Sequence, residues 1–185
     1  MTRFSARTAL ILTLAMLFPG SLAAQETGER LQIVAPEGFV EYRSSGVNGT
    51  ALIEFVPDGQ TTEDWTQKVS LQFLPSIQEP VAFTDAVSQS VMQACASAEV
   101  AQISQPTEAG HATSLILVGC PLSPATGKPE YFLMKAIAGH DRLYVVQMAW
   151  AGPRPTPDDV TTWSVWLRRV VACDEGSTEA VCAGG

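Results

Sequence analysis

Four cysteines are the residues of this chain whose type and spacing most directly predict chemistry: Cys95, Cys120, Cys173 and Cys182. An even number of cysteines is typical of disulfides when a chain enters an oxidising compartment. Three pairings are open. The segment between Cys173 and Cys182 is short, polar and contains glycine, so closing that loop costs little conformational entropy. We therefore expect Cys173 to bond Cys182 and Cys95 to bond Cys120, and we expect none of the four to be a nucleophile or a metal ligand.

Two histidines, His111 and His140, are the candidates for acid–base chemistry. His140 and Asp141 lie between two apolar segments, where we expect a hairpin turn whose adjacent side chains point apart. A small periplasmic hydrolase that uses His140 is an alternative hypothesis for the function. His111 follows Gly110 at the start of a predicted strand, and we expect it to be an exposed edge residue. Because the sequence lacks a G-x-S-x-G nucleophile motif, we expect no catalytic residue.

Four residues are candidates for contacts with a ligand or a partner: Trp65, Trp150, Lys128 and His140. Tryptophan supplies a large apolar contact area. Lys128 lies in a proline-rich loop, residues 121–129, that would lose little entropy on docking. The competing interpretation is that the tryptophans fill the core and that the loop is an ordinary connection. We expect no metal site and no cofactor.

The first 24 residues have the organisation of a cleavable bacterial signal of the Sec type. Arg3 and Arg7 form a positive n-region, residues 9–18 form an apolar h-region, and small residues follow. The h-region is shorter than the roughly 20 residues that span a bilayer. We therefore expect a periplasmic or secreted protein with no membrane insertion after cleavage at Ala23 or Ala24.

The charge of the chain disfavours two classes of partner. Removal of the signal takes away two of the eleven Lys and Arg residues and no acid, so the formal charge changes from -8 to -10. An acidic protein of this kind disfavours nucleic acid and anionic membrane surfaces. The remaining length suits one domain. We expect a signal at 1–24, a mobile N-terminus at 25–30, a single domain at 31–173 and a disulfide-tethered tail at 174–185.

Alternation of apolar and polar side chains predicts most of the strands. The clearest pair of alternating segments flanks the turn at Gly139–Arg142, and this arrangement predicts a β-hairpin. Residues 42–50 are rich in Ser, Gly and Asn and predict a turn. The predicted strands cover residues 31–34, 51–56, 65–73, 100–104, 111–120, 131–138 and 143–150.

Two segments have the three- and four-residue period of apolar side chains that predicts amphipathic helices. The first runs from Pro80 to Ala98, with Cys95 on its core face and Ser88 on its polar face. The second begins at Thr156, because threonine is a good N-cap, proline suits the first helical position and aspartate favours the first turn. We expect this closing helix to pack on the sheet through its tryptophans.

This order of elements predicts an α+β fold, an antiparallel β-sheet flanked by two main helices in an α/β/α sandwich. The turn at Pro36–Phe39, the helix led by Phe83, the hairpin segment Gly139–Val146 and the tryptophan-bearing last helix resemble the PsbP-like fold. That fold is shared by the photosystem subunit PsbP, the Ran-binding Mog family and exported bacterial families of unknown function. The resemblance implies a scaffold for protein association without a shared catalytic residue.

We therefore expect a non-enzymatic exported protein that binds another envelope protein or a small apolar ligand. Export, the predicted disulfides, the missing catalytic motif and the resemblance all favour this function. A hydrolase that uses His140 is one alternative. A structural or stress-protective envelope protein is the other.

Overall fold

A computed structural model describes residues 28–45, 50–75, 79–124, 126–178 and 180–182. The predicted signal at 1–24 lies outside the described residues. The described elements are, in chain order, β1 (Arg30–Gln32), β2 (Phe39–Ser45), β3 (Ala51–Pro57), β4 (Gln67–Pro75), α1 (Pro80–Ala94), β5 (Glu99–Ser104), β6 (Thr107–Glu108), β7 (His111–Cys120), β8 (Glu130–Ala138), β9 (Arg142–Ala151), α2 (Pro157–Arg168) and β10 (Val171–Cys173).

The main antiparallel sheet has the strand order β2-β3-β4-β9-β8-β7-β5, with β6 paired to β7 at one end. The predicted hairpin is confirmed: β8 and β9 pair from Glu130 opposite Ala151 to Ala138 opposite Leu143. The four-stranded meander of β5, β7, β8 and β9 follows the predicted order. Because the side chains of a strand alternate between faces, the long central strands supply a core on each side of the sheet.

The two helices cover opposite faces of this sheet, which confirms the predicted α+β sandwich. Phe83, Val87 and Val91 of α1 pack against one buried cluster. Trp163 and Trp166 of α2 pack against the other cluster, as the sequence predicts. No helix in the described ranges is long and apolar enough to cross a membrane.

Helix α1 differs from the prediction at its end and on one face. It stops at Ala94, because Cys95 adopts an extended conformation and bonds Cys120 at the end of β7. Ser88 was predicted on the polar face, and this is wrong: the residue is buried, and its hydroxyl donates to the carbonyl of Thr84. The hydroxyl of Thr84 in turn lies 2.7 Å from that of Ser114 on β7, so the helix meets the sheet partly through polar contacts.

The prediction of a turn over residues 42–50 is wrong for its first part. Tyr42 to Ser45 continue β2, which pairs with β3 up to Ser45 opposite Ala51. A neighbouring strand supplies backbone hydrogen bonds that outweigh the local turn preference. Residues 46–49 lie outside the described part of the chain.

Helix α2 begins as predicted. The Thr156 side chain accepts a hydrogen bond from the Asp159 backbone N–H, and the Asp159 carboxylate accepts one from the Thr156 N–H. This capping box satisfies donors that would otherwise lack a partner at the first turn. Pro157 occupies the first turn, where its missing N–H costs nothing.

The end of α2 depends on a buried lysine that the sequence patterns do not reveal. Lys135 on β8 is 1% exposed, and its ammonium group donates to the carbonyls of Leu167 at 3.0 Å and Val170 at 2.7 Å. The same group forms an ion pair with Glu108 on β6. Burial lowers the pKa of Lys135, and the bond to Glu108 opposes that change. A lysine within a sheet therefore caps the helix that crosses it.

The four cysteines pair as the sequence predicts, Cys95 with Cys120 and Cys173 with Cys182. Two disulfides indicate an oxidising compartment. The second bond holds the tail against the β1–β10 pair, in which Arg30 lies opposite Cys173. The Arg30 guanidinium donates to the Cys182 carbonyl at 2.7 Å, so both ends of the described chain meet.

Candidate functional site

A cleft of about 770 Å³ lies between the edge of the sheet and the first turns of α2. Its walls are mostly apolar and come from β5, β7, β8 and α2. The residues that line it include Val100, Ala101, Leu117, Tyr131, Pro155 and Val160. A concave apolar space of this size is typical of small-molecule sites.

One glycine shapes the floor of this cleft. Gly119 on β7 lies opposite Tyr131 on β8, and a Cβ atom at Gly119 would come within 2.6 Å of the tyrosine ring. The ring of Tyr131 therefore occupies the place of the side chain that Gly119 lacks. The tyrosine is buried, and its position is fixed by this close approach.

The rim of the cleft carries a charge pair. Arg154 and Glu99 form an ion pair at 2.6 Å, and their side chains are 63% and 48% exposed. Solvent screens a pair of this kind, so it contributes little to stability. Arg154 lies between Pro153 and Pro155, which stiffen the segment that leads to α2.

A second site lies at the opposite end of the β8–β9 pair, where Glu29, His111, His140 and Asp174 converge. His140 Nε2 lies 2.8 Å from Asp174 Oδ1 and 3.8 Å from Glu29 Oε2. The ligand atoms of Glu29, His140 and Asp174 lie within 4.8 Å of one another. His111 Nε2 lies 3.4 Å from the same Asp174 oxygen. We call these four residues the His–carboxylate cluster.

His111 is placed in this cluster by a tight hairpin between β6 and β7. Ala109 and Gly110 both have positive φ, which suits a two-residue turn. The prediction that His111 is an exposed edge residue is wrong, since it is 6% exposed. Pairing of β7 with β8 brings its ring against the hairpin tip, where Nδ1 lies 2.8 Å from the Ala138 carbonyl.

Glu29 reaches the cluster because Gly139 has no side chain. A Cβ atom at Gly139 would lie 2.5 Å from Glu29 Oε1. The carboxylate accepts hydrogen bonds from the Tyr144 hydroxyl at 2.7 Å and from the His140 N–H at 2.9 Å. Burial, and next the bond to Glu29, raise the pKa of Tyr144, so its hydroxyl remains a donor. The Glu29 side chain is 1% exposed, and both oxygens are held in place.

Asp141 does not belong to the cluster. Its carboxylate accepts two hydrogen bonds from Arg142, at 2.7 and 3.0 Å. These bonds lower the pKa of Asp141. The acid next to His140 is therefore Asp174 rather than its neighbour in the sequence, and the hydrolase hypothesis keeps His140 with a different acid partner.

The four predicted binding residues are divided between the two ends of the sheet. Trp150 is buried at the end of β9, directly opposite Tyr131. Trp65 lies just before β4, which pairs with that end of β9, and the Lys68 ammonium group is 4.8 Å from its ring centroid. Lys128 is exposed in the loop before β8. His140 lies at the other end, in the His–carboxylate cluster.

Sequence reasoning missed most of both sites. Glu29, His111 and Asp174 gave no motif, because they are far apart along the chain and only strand pairing brings them together. For the His–carboxylate cluster the available signal was Gly139 at the hairpin tip, where Glu29 approaches too closely for a side chain. For the cleft the signal was Gly119, which interrupts an apolar strand.

Comparisons with known proteins give a likeness of structure alone. No family model matches the chain, and no curated protein matches it. The Saccharomyces cerevisiae Ran-binding protein Mog1p is 14% identical over 74% of this chain and 78% of that chain, with a TM-score of 0.43. A point mutant of protein Mog1 is 13% identical over 75% of this chain and 84% of that chain, with a TM-score of 0.41. Sequence identities of 13% and 14% with TM-scores of 0.41 and 0.43 assign no function to this chain. Its resemblance to the PsbP-like fold remains a prediction.

Proposed function

We propose that this chain is an exported, non-enzymatic protein that binds a small apolar molecule in the cleft beside α2. The observation that carries the proposal is the cleft itself, with a volume of about 770 Å³. Pockets for small ligands range over about 300–1,000 Å³ and are mainly apolar. The volume and the lining therefore fit one ligand of that class.

The chemistry of the lining favours an uncharged ligand. Val100, Ala101 and Leu117 offer aliphatic surface, and Tyr131 adds aromatic surface. Arg154 and Glu99 at the rim neutralise each other. A charged ligand would lose hydration in such a cleft without gaining an unpaired partner of opposite charge at this rim.

The segment that forms the mouth supports a preformed site. Prolines at 153, 155 and 157 restrict the backbone there, and the capping box at Thr156 fixes the first turn of α2. A preorganised wall loses little conformational entropy when a ligand binds.

Export is the second part of the proposal. The signal-like residues 1–24 and the two disulfides both favour a periplasmic or secreted location. The hydrolase hypothesis and the structural or stress-protective hypothesis stay predictions.

A protein partner is the second candidate function, and the edge position of β5 among the described strands favours it. This strand ends the main sheet, and its residues Glu99 to Gln102 are exposed. An edge strand presents backbone donors and acceptors that an extended segment of another envelope protein can pair with.

Binding of an apolar fluorophore tests the leading function. N-phenyl-1-naphthylamine is titrated into the full chain, and its fluorescence is expected to rise with saturation at one molecule per chain. Thr161→Phe places a ring in the cleft and is expected to abolish the signal. Thr162→Phe is the matched control, because Thr162 is also exposed on α2 but does not line the cleft. Equal binding by both variants would contradict the proposal.

A further inference from the structure

We propose that the His–carboxylate cluster is a binding site for a divalent transition-metal ion, and that Zn²⁺ fits it best. The cluster is remote from the apolar cleft, so this inference is independent of the function proposed above. Glu29, His111, His140 and Asp174 would supply two imidazole nitrogens and two carboxylate oxygens. The proposal stands on the environment of His111, on the distances within the cluster and on the groups that position it.

His111 gives the first argument. The residue is 6% exposed, and its Nε2 atom is buried without a hydrogen-bond partner among the described residues. Its Nδ1 atom lies 2.8 Å from the Ala138 carbonyl, which can only accept, so Nδ1 carries the proton. The lone pair is then on Nε2, which faces Asp174 at 3.4 Å. A buried acceptor without a donor costs free energy, and a metal ion at this position would remove that cost.

A backbone carbonyl behind Nδ1 is also the usual arrangement of a metal-ligating histidine. Such a histidine donates its second ring N–H to a carbonyl or carboxylate, which fixes the tautomer and directs the other nitrogen to the metal. His111 already has this arrangement through Ala138.

The distances between ligand atoms give the second argument. Tetrahedral zinc with bonds of about 2.0 Å separates its ligand atoms by about 3.3 Å. The separations here are 2.8 Å for His140 Nε2 to Asp174, 3.4 Å for His111 Nε2 to Asp174 and 3.8 Å for His140 Nε2 to Glu29. The ligand atoms of Glu29, His140 and Asp174 already lie within 4.8 Å of one another, and His111 Nε2 adjoins this group through Asp174. Movement of the exposed His140 and Asp174 would bring all four atoms into one coordination sphere.

The carboxylates are held by their own partners. Glu29 accepts hydrogen bonds from Tyr144 and from the His140 backbone, and each oxygen retains a lone pair for a metal. Asp174 directly follows Cys173, whose disulfide to Cys182 fixes the start of the tail. Partners of this kind orient the ligands of natural metal sites.

The donor types select the class of ion. Imidazole with carboxylate suits zinc and its neighbours, whereas calcium and magnesium prefer oxygen ligands alone. His140 Nε2 lies 2.8 Å from Asp174 Oδ1, and because the carboxylate accepts, the Nε2–H group donates the hydrogen bond. On binding, Zn²⁺ takes the place of that proton, and the ring stays neutral because it carries a proton on Nδ1 instead. The charge of the ion offsets the repulsion between the two carboxylates.

Competition with a chromophoric zinc chelator, after dialysis against EDTA, tests the proposal on the full chain. The wild type is expected to bind one Zn²⁺ with a dissociation constant below about 1 µM. His140→Gln is expected to raise that constant by at least about 100-fold, more than the loss of an outer-shell partner does. Asp141→Asn is the matched control, because Asp141 shares the hairpin tip but bonds Arg142, and it is expected to bind like the wild type.

Two further measurements distinguish the loss of a metal ligand from the loss of the folded structure. His140 is 55% exposed, so its replacement is expected to leave the circular dichroism spectrum and the melting temperature in EDTA unchanged. X-ray absorption of the zinc-loaded protein is expected to show two imidazoles and only N and O ligands at about 2.0 Å. Wild-type binding weaker than about 1 µM, equal affinity of His140→Gln and the wild type, or a spectrum without imidazole would each overturn the proposal.

Discussion

Glu29 and Asp174 lie beside each other at the end of the β1–β10 ladder, one residue beyond the pair formed by Arg30 and Cys173. Each carboxylate therefore owes its position to the pairing of two chain ends that are remote in sequence. Cys173, the last residue of β10, is also bonded to Cys182. The His–carboxylate cluster is thus assembled by the same contacts that close the fold.

Removal of the second disulfide is expected to weaken zinc binding. In a Cys173→Ala, Cys182→Ala double variant the segment that carries Asp174 loses its covalent anchor, so the dissociation constant for Zn²⁺ should rise by about tenfold. The Cys95→Ala, Cys120→Ala double variant is the control, because that bond joins α1 to the other end of β7. Chelator competition well below the melting temperatures measures both. An equal rise of the dissociation constant in both double variants would contradict a role of the Cys173–Cys182 bond in positioning Asp174.

Gly139→Ala is expected to reduce zinc affinity, because the added Cβ atom would meet the Glu29 carboxylate, the Tyr144 ring and the Arg142 carbonyl. The new Cβ atom would meet Glu29 Oε1 at 2.5 Å, so the carboxylate must move away from the cluster. An increase in the dissociation constant of about 10- to 100-fold is the range for a lost positioning contact. Asp141→Ala serves as the control at the same hairpin tip. Unchanged affinity of Gly139→Ala would show that Glu29 is not a ligand.

Lys135→Met is expected to lower the free energy of unfolding by about 3 kcal/mol. The change leaves Glu108 without its cation and leaves the carbonyls of Leu167 and Val170 without a donor. Urea denaturation followed by tryptophan fluorescence measures the loss. The double variant with Glu108→Gln should recover part of it, because no uncompensated charge remains. A single variant as stable as the wild type would contradict a capping role for Lys135.

The contribution of Lys135 to stability is expected to rise with pH. Its pKa in the folded protein lies below the ordinary value of 10.5, so between these two values the unfolded chain binds more protons than the folded one. Deprotonation then favours folding as pH increases toward 10.5. The difference in unfolding free energy between the wild type and Lys135→Met, measured at pH 7 and near pH 10, should increase. A decrease of this difference would mean that folding raises the pKa of Lys135, which would contradict the prediction.

Gly119→Ala is expected to destabilise the protein by about 1–3 kcal/mol, the usual cost of overpacking a core. The added methyl group would lie 2.6 Å from the ring of Tyr131. Combination with Tyr131→Leu, which removes the ring, should make the alanine substitution nearly neutral. Thermal unfolding of the four proteins forms a double-mutant cycle. Additive effects would show that the two residues do not meet.

Local patterns in the sequence were sufficient for much of the fold. The capping residues at 156–159 place the start of α2, alternation places β8 and β9, and the spacing of Cys173 and Cys182 predicts their bond. Each of these signals depends on neighbours along the chain, which interact in the same way in almost any fold. The end of α1 and the burial of Ser88 were not accessible in this way, because contacts with β7 decide both.

The sequence by itself determined the sandwich of helices and antiparallel strands, the two disulfides and the acidic charge that disfavours nucleic acid. Only the tertiary structure decided which side chains meet. His111 joins His140 because β7 pairs with β8, and Glu29 joins Asp174 because β1 pairs with β10. Periodicity reports which face of an element is buried, but it carries no information about the register between distant strands. A site assembled across strands therefore depends on pairings that no local pattern encodes.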